Sequence, residues 1–186
     1  MNIAVFASGS GSNAQKIFEH FEQHPTVKVA LLVCNKPEAY VIERAKKFGI
    51  PVLIIDKSSF SDEHFLLPAL KQHNIEFIVL AGFLWLIPAY LIKAYPDKMV
   101  NIHPALLPKY GGKGMHGMHV HKAVHENKEA ESGITVHYVN EVYDSGKIVF
   151  QATCKVEGLH PDDIAKEVLK LEHRHFPQVI EKILCS

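Results

Sequence analysis

The 186-residue sequence predicts an α/β fold, with a mostly parallel sheet covered by helices on both faces and an antiparallel strand pair near the C-terminus. Apolar, β-branched runs alternate with amphipathic stretches throughout the first half. Strands that are apolar on both faces and separated by helices are typical of a buried parallel sheet. In the second half, two segments instead alternate polar and apolar residues, which indicates an antiparallel pair.

The first half predicts its elements in a regular order. Strands are expected at residues 2–7, 27–34, 51–55, 77–81 and 98–103, with helices between them at 13–24, 37–48, 60–73 and 88–95. In the second half, strands are expected at 133–139 and 148–156, joined by a turn that contains Asp144, Ser145 and Gly146.

A final helix is expected at residues 161–184, because Pro161 suits the first turn and Asp162 and Asp163 suit the positive end of a helix dipole. Pro177 is expected to kink or divide this helix. No linker, repeat or low-complexity tract separates the halves, so the sequence predicts one domain with a shared sheet.

The charge balance argues against a polyanionic partner. Lys and Arg together number 20, as do Asp and Glu, so the formal net charge is zero. The N-terminal apolar run has no basic leader, and the apolar stretch 75–92 is interrupted below the ~20 residues that span a bilayer. Three widely spaced cysteines, Cys34, Cys154 and Cys185, are interpreted as reduced thiols. We therefore expect a cytoplasmic protein that binds neither nucleic acid nor membrane.

A Ser/Gly loop at residues 8–13 lies between the first strand and the first helix, where backbone N–H groups and the helix dipole favour an anion. Gly9, Gly11 and Ala14 also satisfy the pattern of Rossmann-type dinucleotide sites. The next strand end, residues 33–36, lacks the carboxylate that would hold an NAD ribose, so a phosphate monoester is favoured. A tight turn with no ligand remains the alternative.

Asn101 and His103 fall where a parallel strand ends, at the edge where open α/β sheets place their ligands. The two residues are two apart and share a face of the strand, whereas Ile102 points to the other face. A neutral donor and a titratable group therefore converge on one point. A packed, structural histidine is the alternative interpretation.

The residues that follow read Pro104-Ala105-Leu106-Leu107-Pro108-Lys109, and with Asn101 and His103 they resemble the signature segment of the folate-dependent formyltransferases. The resemblance extends over nearly the whole chain, to the 8–13 loop and to the segments 80–83, 133–137, 144–146 and 171–173. It implies a single-domain, formyltransferase-like fold in which residues 1–100 hold phosphate and substrate, and 101–186 carry catalysis and folate binding.

The resemblance also implies a reaction: transfer of a formyl group from 10-formyltetrahydrofolate to the amine of glycinamide ribonucleotide in purine synthesis, without a metal. It makes His103 the catalytic acid, Asn101 the oxyanion partner, and Asp144 the carboxylate that raises the pKa of His103 and orders a water. Fixed donors at a developing oxyanion lower the barrier. Read alone, Asp144 could simply form a turn, and His137 could either support the site or pack structurally.

Ligand contacts follow from the same resemblance. Substrate contacts are expected at the phosphate loop and the last helix, namely Gly11, Ser12, Asn13, Leu169, Lys170, Leu171 and Glu172. Folate contacts are expected at Leu84, Trp85, Leu86, Ile87, Asn101, Asn140, Glu141, Val142, Tyr143 and Asp144. The alternatives are ordinary core for the apolar segment and a solvated helix surface for Glu172.

Three features depart from the family pattern. The segment 110–118 is long and rich in glycine, which favours a mobile lid. No arginine occurs at residues 61–64, where relatives offer one, and Trp85 stands where relatives often carry a basic residue.

Other functions remain open on the sequence. A formyltetrahydrofolate hydrolase or another folate-dependent formyltransferase would share the Asn-His-Asp set, although such proteins usually carry an additional domain. A non-catalytic nucleotide-binding module would use the glycine loop alone. A monomer or a weak homodimer is expected.

Overall fold

The computed structural model describes residues 1–185. The first stretch of the chain forms β1 (Asn2–Ala7), α1 (Ser12–Phe21), β2 (Lys28–Cys34), α2 (Val41–Lys47), β3 (Val52–Ile54), α3 (Lys57–Ser61), α4 (Glu63–Gln72), β4 (Ile75–Leu80) and α5 (Ala89–Ala94). There follow β5 (Met99–His103), α6 (Met118–Glu126), β6 (Glu131–Tyr138), β7 (Ile148–Lys155) and α7 (Pro161–Leu184).

The strands form one sheet with the order β3-β2-β1-β4-β5-β6-β7. Strand β1 pairs in parallel with both β2 and β4, and β2 pairs in parallel with β3. Strands β6 and β7 pair antiparallel. The predicted fold class, a mostly parallel sheet that ends in an antiparallel pair, is confirmed.

The chain forms two compact units, a first unit of Met1–Val100 and a second unit that starts at Asn101. In the first unit, β1 is buried along almost its whole length, since helices follow each parallel strand. Helix α1 buries Ala14, Ile17, Phe18 and Phe21, which follow the i, i+3, i+4, i+7 spacing of one helical face. Burying a side chain as large as Phe18 stabilises the fold by about 1.5–3 kcal/mol.

The second unit is built on β6, β7, α6 and α7. Strand β6 is buried, whereas the outer strand β7 alternates exposed and half-buried residues. Helix α7 buries an apolar stripe that includes Ile164, Val168, Phe176 and Ile180. It continues through Pro177, so the proline does not divide it; Pro177 is itself buried among these residues.

Two elements differ from the sequence expectation. The helix predicted at 60–73 is two helices, because Asp62 has an extended backbone and its side chain accepts from the His64 N–H, which begins a new helix. Helix α6 was not predicted. Its buried face consists of Val120, His121 and Val124. Because His121 is polar, this face does not show the regular apolar spacing that predicts a helix.

Candidate active site

Strand β5 positions two of the candidate catalytic residues. Along it, Asn101 is half-buried and His103 is buried, with Ile102 between them in the core. The alternation of a strand accounts for this arrangement, since residues two apart point to the same face.

Asp144 reaches these residues from the loop between β6 and β7. Its Oδ2 accepts a hydrogen bond from the Gly112 N–H at 2.9 Å and lies 3.5 Å from Nδ1 of His103. Its Oδ1 lies 3.5 Å from both Nδ2 of Asn101 and Nε2 of His137. The structure thus brings Asn101, His103 and Asp144 together and adds His137 to them.

Two close approaches shape this loop. Asp144 has a φ of 53°, in the left-handed region that Asp tolerates better than most residues. A Cβ on Gly111 would lie 3.3 Å from the Cβ of Asp144, and one on Gly146 would overlap the Tyr138 carbonyl. Glycine at these two positions therefore lets the chain fold tightly around the carboxylate.

His137 orients the amide of Asn101. Its Nδ1 lies 2.9 Å from the Tyr138 carbonyl, which can only accept, so Nδ1 carries a proton. In the neutral form its Nε2 accepts from Nδ2 of Asn101 at 3.2 Å, and a proton on Nε2 would be directed at Asp144. These contacts favour the interpretation that His137 supports the candidate site over the interpretation that it only packs structurally.

Opposing effects set the pKa of His103. Burial lowers the pKa of His103; the Asp144 charge and the Tyr110 carbonyl raise it, but together they do not outweigh burial. Asp144 therefore raises the pKa of His103, as the resemblance implies, but the net pKa lies below the ordinary histidine value because a nearly solvent-free site disfavours the imidazolium. Nε2 of His103 donates to the Tyr110 carbonyl at 2.7 Å.

Asp144 itself remains charged. Burial would raise the pKa of this carboxyl group, but the hydrogen bond with His137, the positive charge that His103 carries when protonated and the Gly112 N–H together bring the pKa below its ordinary value. The two lowered pKa values favour the carboxylate form of Asp144 and the neutral form of His103.

A cavity of about 420 Å³ opens beside the carboxylate within the second unit. Its lining comprises Leu107, Pro108, Gly111, Gly112, Tyr143, Asp144, Ser145, Gly146 and Ile148. Two of the predicted folate contacts, Tyr143 and Asp144, line this cavity. Its size lies within the range of small-molecule sites.

Three other predicted folate contacts, Asn140, Glu141 and Val142, lie on the same loop. Asn140 Oδ1 accepts from the Val142 N–H at 3.0 Å and from the Ser145 hydroxyl at 2.9 Å. Glu141 and Val142 are exposed.

In the first unit, the glycine loop leads into the N-terminus of α1, where no side chain caps the helix. Gly11 adopts a φ of 72° directly before α1, packs against Val41, and provides no side chain to cap the helix. The first turn of α1 also carries no acidic residue. Its N-terminal end is therefore suited to an external anion, with Ser12 and Asn13 in the first turn.

Arg44 of α2 holds this loop, and sequence reasoning missed it. Its Nε donates to the Ser10 carbonyl at 2.8 Å, a second guanidinium nitrogen donates to Gln15 Oε1, and the group lies 4.8 Å from the centre of the Tyr40 ring. The loop thus has a cation beside it, although residues 61–64 contain no arginine. An arginine four residues after an aromatic residue at a helix start was the available signal.

The predicted folate segment at 84–87 lies beside the same loop. The Leu84 N–H donates to the Ser8 hydroxyl at 3.1 Å. Leu84 and Leu86 are 42% and 44% exposed, whereas Ile87 is buried in the core. The half-buried Trp85 ring packs on Phe60 with 5.5 Å between the ring centres.

The predicted contacts on α7 are divided between surface and interior. Leu169 and Lys170 are exposed, and Lys170 pairs with Glu167 at 2.6 Å. Leu171 is half-buried, and Glu172 is only 8% exposed and interacts within the molecule. The alternative of a solvated helix surface is therefore wrong for Glu172.

Within residues 1–185, no group of three or more His, Cys, Asp or Glu side chains is arranged to hold a metal ion. None of the helices in the described part of the chain is sufficiently long and apolar to span a membrane.

Comparison with known proteins gives a consistent result. The family described as formyl transferase matches residues 1–180. The chain is 43% identical to a chloroplastic phosphoribosylglycinamide formyltransferase of Arabidopsis thaliana, over 97% of this chain and 64% of that protein. It thus spans just under two thirds of that relative. It is 39% identical to the phosphoribosylglycinamide formyltransferase of Bacillus subtilis, over 97% of this chain and 93% of that one.

A solved structure agrees with these relatives. The phosphoribosylglycinamide formyltransferase of Bacillus halodurans superimposes with a TM-score of 0.89 at 34% identity, covering 99% of this chain and 95% of that one. From the matching segment, the relatives and the shared fold together, the chain belongs to the formyl transferase family.

Proposed function

We propose that this protein transfers the formyl group of 10-formyltetrahydrofolate to the amine of glycinamide ribonucleotide, giving formylglycinamide ribonucleotide in purine synthesis. The observation that carries the proposal is the convergence of Asn101, His103 and Asp144 beside a cavity that Asp144 lines. The relatives named phosphoribosylglycinamide formyltransferase support the choice of substrate.

The reaction forms one bond and breaks another. The substrate amine attacks the formyl carbon, a new C–N bond forms, and negative charge grows on the formyl oxygen. Nδ2 of Asn101 donates to that oxygen, and its contact with Nε2 of His137 at 3.2 Å supports this role. Removing such a donor typically costs ~10²–10³ in rate.

Protons must move in the same step. The attacking amine loses a proton, and the folate nitrogen gains one as its bond to the formyl carbon breaks. His103, which is neutral at rest, can take the first proton and return it to the folate nitrogen. Asp144 stays charged throughout and stabilises the imidazolium while it exists.

We assign the ligand contacts by unit. In the first unit, Gly11, Ser12 and Asn13 bind the phosphate, and the segment Leu84, Trp85, Leu86 and Ile87 provides an apolar contact for folate. In the second unit, Leu169, Lys170, Leu171 and Glu172 bind the sugar and amine, and residues 140–144 with Asn101 bind folate. The division of labour between residues 1–100 and 101–186 is part of the same proposal.

Location and assembly belong to the proposal as well. The described cysteines Cys34, Cys154 and Cys185 are free thiols, which supports a reducing, cytoplasmic environment. We propose a monomer or a weak homodimer, which sedimentation at several concentrations would test.

The direct test is a formyl-transfer assay with 10-formyltetrahydrofolate and glycinamide ribonucleotide. We expect formylated ribonucleotide and tetrahydrofolate in equal amounts, and a loss of at least ~10²-fold in kcat for His103→Ala and for Asp144→Ala. His64→Ala is the matched control, because that side chain is 89% exposed.

Other outcomes would decide against the proposal. Release of tetrahydrofolate without the ribonucleotide would indicate a hydrolase. Binding of NAD with no response to the ribonucleotide would indicate a nucleotide-binding module.

A further inference from the structure

We infer that Tyr110 and Glu129 are positioning residues for His103: they hold its Nε2 as the permanent N–H, so that Nδ1 is the nitrogen that gains and loses a proton beside Asp144. The catalytic consequence depends on the proposed function. The assignment of the two nitrogens does not, because it concerns the protein without ligand.

The two ring nitrogens of His103 have different neighbours. Nε2 lies 2.7 Å from the Tyr110 carbonyl oxygen, and a carbonyl can only accept. Nε2 therefore carries a proton whether the ring is neutral or charged. Nδ1 faces Oδ2 of Asp144 at 3.5 Å, where a proton gained by the ring is directed at a carboxylate.

The Tyr110 carbonyl is held in place by an unusual backbone. Tyr110 has a φ of 58°, a conformation that residues other than glycine rarely adopt. Such a backbone persists only where its surroundings support it. The support comes from its own side chain, since the Tyr110 hydroxyl donates to Oε1 of Glu129 at 2.8 Å.

That hydroxyl is a dependable donor. Burial, then the hydrogen bond to Glu129 and its charge, raise the pKa of Tyr110 to about 12. The hydroxyl stays protonated over the working range of any enzyme near neutral pH.

Glu129 is anchored in turn. Its N–H donates to the Val124 carbonyl at the end of α6, and Lys109 donates to its Oε1 at 2.9 Å. The contacts with Lys109 and Tyr110 lower the pKa of Glu129, so the carboxylate is charged. A continuous path therefore runs from the end of α6 through Glu129 and Tyr110 to Nε2 of His103.

The first test reads the protonated nitrogen directly. In protein labelled with ¹⁵N-histidine and free of ligand, long-range ¹H–¹⁵N correlations distinguish the two neutral forms of the ring. The His103 signal is identified by its loss in His103→Gln. We expect the Nε2–H form in the wild-type protein, and a mixture of both forms in Tyr110→Phe and Glu129→Met.

The second test is kinetic. We expect kcat to fall about 10- to 100-fold in either variant, since misplacing a catalytic group by ~1 Å can cost ~10²-fold, with KM for both substrates unchanged within about twofold. The kcat of the double variant should be no lower than that of the less active single variant, because both changes break the same path. His64→Gln is the control, since that side chain is 89% exposed and makes no contact with this path.

An Nδ1–H form of neutral His103 in the wild-type protein would overturn the inference. So would unchanged ring signals and unchanged kcat in both variants. If Tyr110→Phe fails to fold in a thermal melt, Glu129→Met decides alone. Full activity of His103→Gln would refute the proposed function but would leave the ring assignment standing.

Discussion

The side-chain amide nitrogen of Asn101 lies 3.2 Å from Nε2 of His137, whose Nδ1–H is fixed on the Tyr138 carbonyl. The candidate oxyanion donor is thus aimed by a buried histidine on β6. Removing that histidine frees the amide to rotate.

We expect His137→Leu to lower kcat about 10- to 100-fold, because a misplaced donor loses most of its effect on the developing oxyanion. His137→Gln should recover part of the loss, since its amide oxygen can accept from Asn101. Steady-state kinetics with His64→Gln as the control checks this. Equal kcat in His137→Leu and the wild-type protein would contradict the role.

The pH dependence follows from His103. Because its pKa lies below the ordinary histidine value, the neutral base form persists into mildly acidic solution. We expect kcat/KM to fall only as the pH drops through that lowered pKa. In Asp144→Asn the imidazolium loses its nearby charge, so the residual activity should decline at a still lower pH. An acidic limb that moves to higher pH in this variant would contradict the assignment.

The free energy of unfolding should also decrease as the pH falls, because of the lowered pKa of His103. The unfolded chain protonates His103 near its ordinary pKa, whereas the folded chain resists protonation, so the unfolded state binds more protons in the window between the two values. The contribution of His103 is present above the unfolded pKa and is lost as the pH falls through the folded one. Urea unfolding of wild-type protein and His103→Gln across this window measures it. Parallel pH dependences in the two proteins would rule out the contribution.

Arg44 should matter for the phosphate substrate. We expect Arg44→Met to raise KM for glycinamide ribonucleotide about tenfold or more, because hydrogen bonds of a charged group contribute about 1.5–3 kcal/mol. KM for folate and kcat should stay near wild-type values. Lys47→Met removes one positive charge from the exposed face of the same helix and is the matched control. Equal changes in KM in both variants would mean that the effect comes from the loss of any positive charge and not from Arg44 in particular.

Gly11 offers a test of the loop itself. A Cβ there would meet the side chain of Val41 and would also occupy a φ of 72°. Gly49 has a similar φ of 64° with open space around it. We expect Gly49→Ala to lower the free energy of unfolding by about 1–2 kcal/mol through backbone strain alone. Gly11→Ala should lower it by about 1–3 kcal/mol more, which is the typical cost of overpacking a core. Urea unfolding measures both; equal losses would mean that Val41 yields without cost.

Local pattern predicted most of the elements. The apolar runs of β1 and β2 and the single face of α1 were readable because each depends on neighbours a few residues away. Helix α6 was not predicted, because its pattern depends on tertiary packing and not on neighbouring residues alone. His121 sits in its buried stripe, and only packing shows that a histidine there is buried.

The sequence by itself determined that Asn101 and His103 share a face at the end of a strand, since a period of two residues settles that question. Only the tertiary structure decided what surrounds them. It placed Asp144, 43 residues from Asn101, within 3.5 Å of its amide, and Arg44, 34 residues from Ser10, on that residue's carbonyl. It also decided the direction in which the pKa of His103 shifts, because desolvation depends on how the chain packs around the ring.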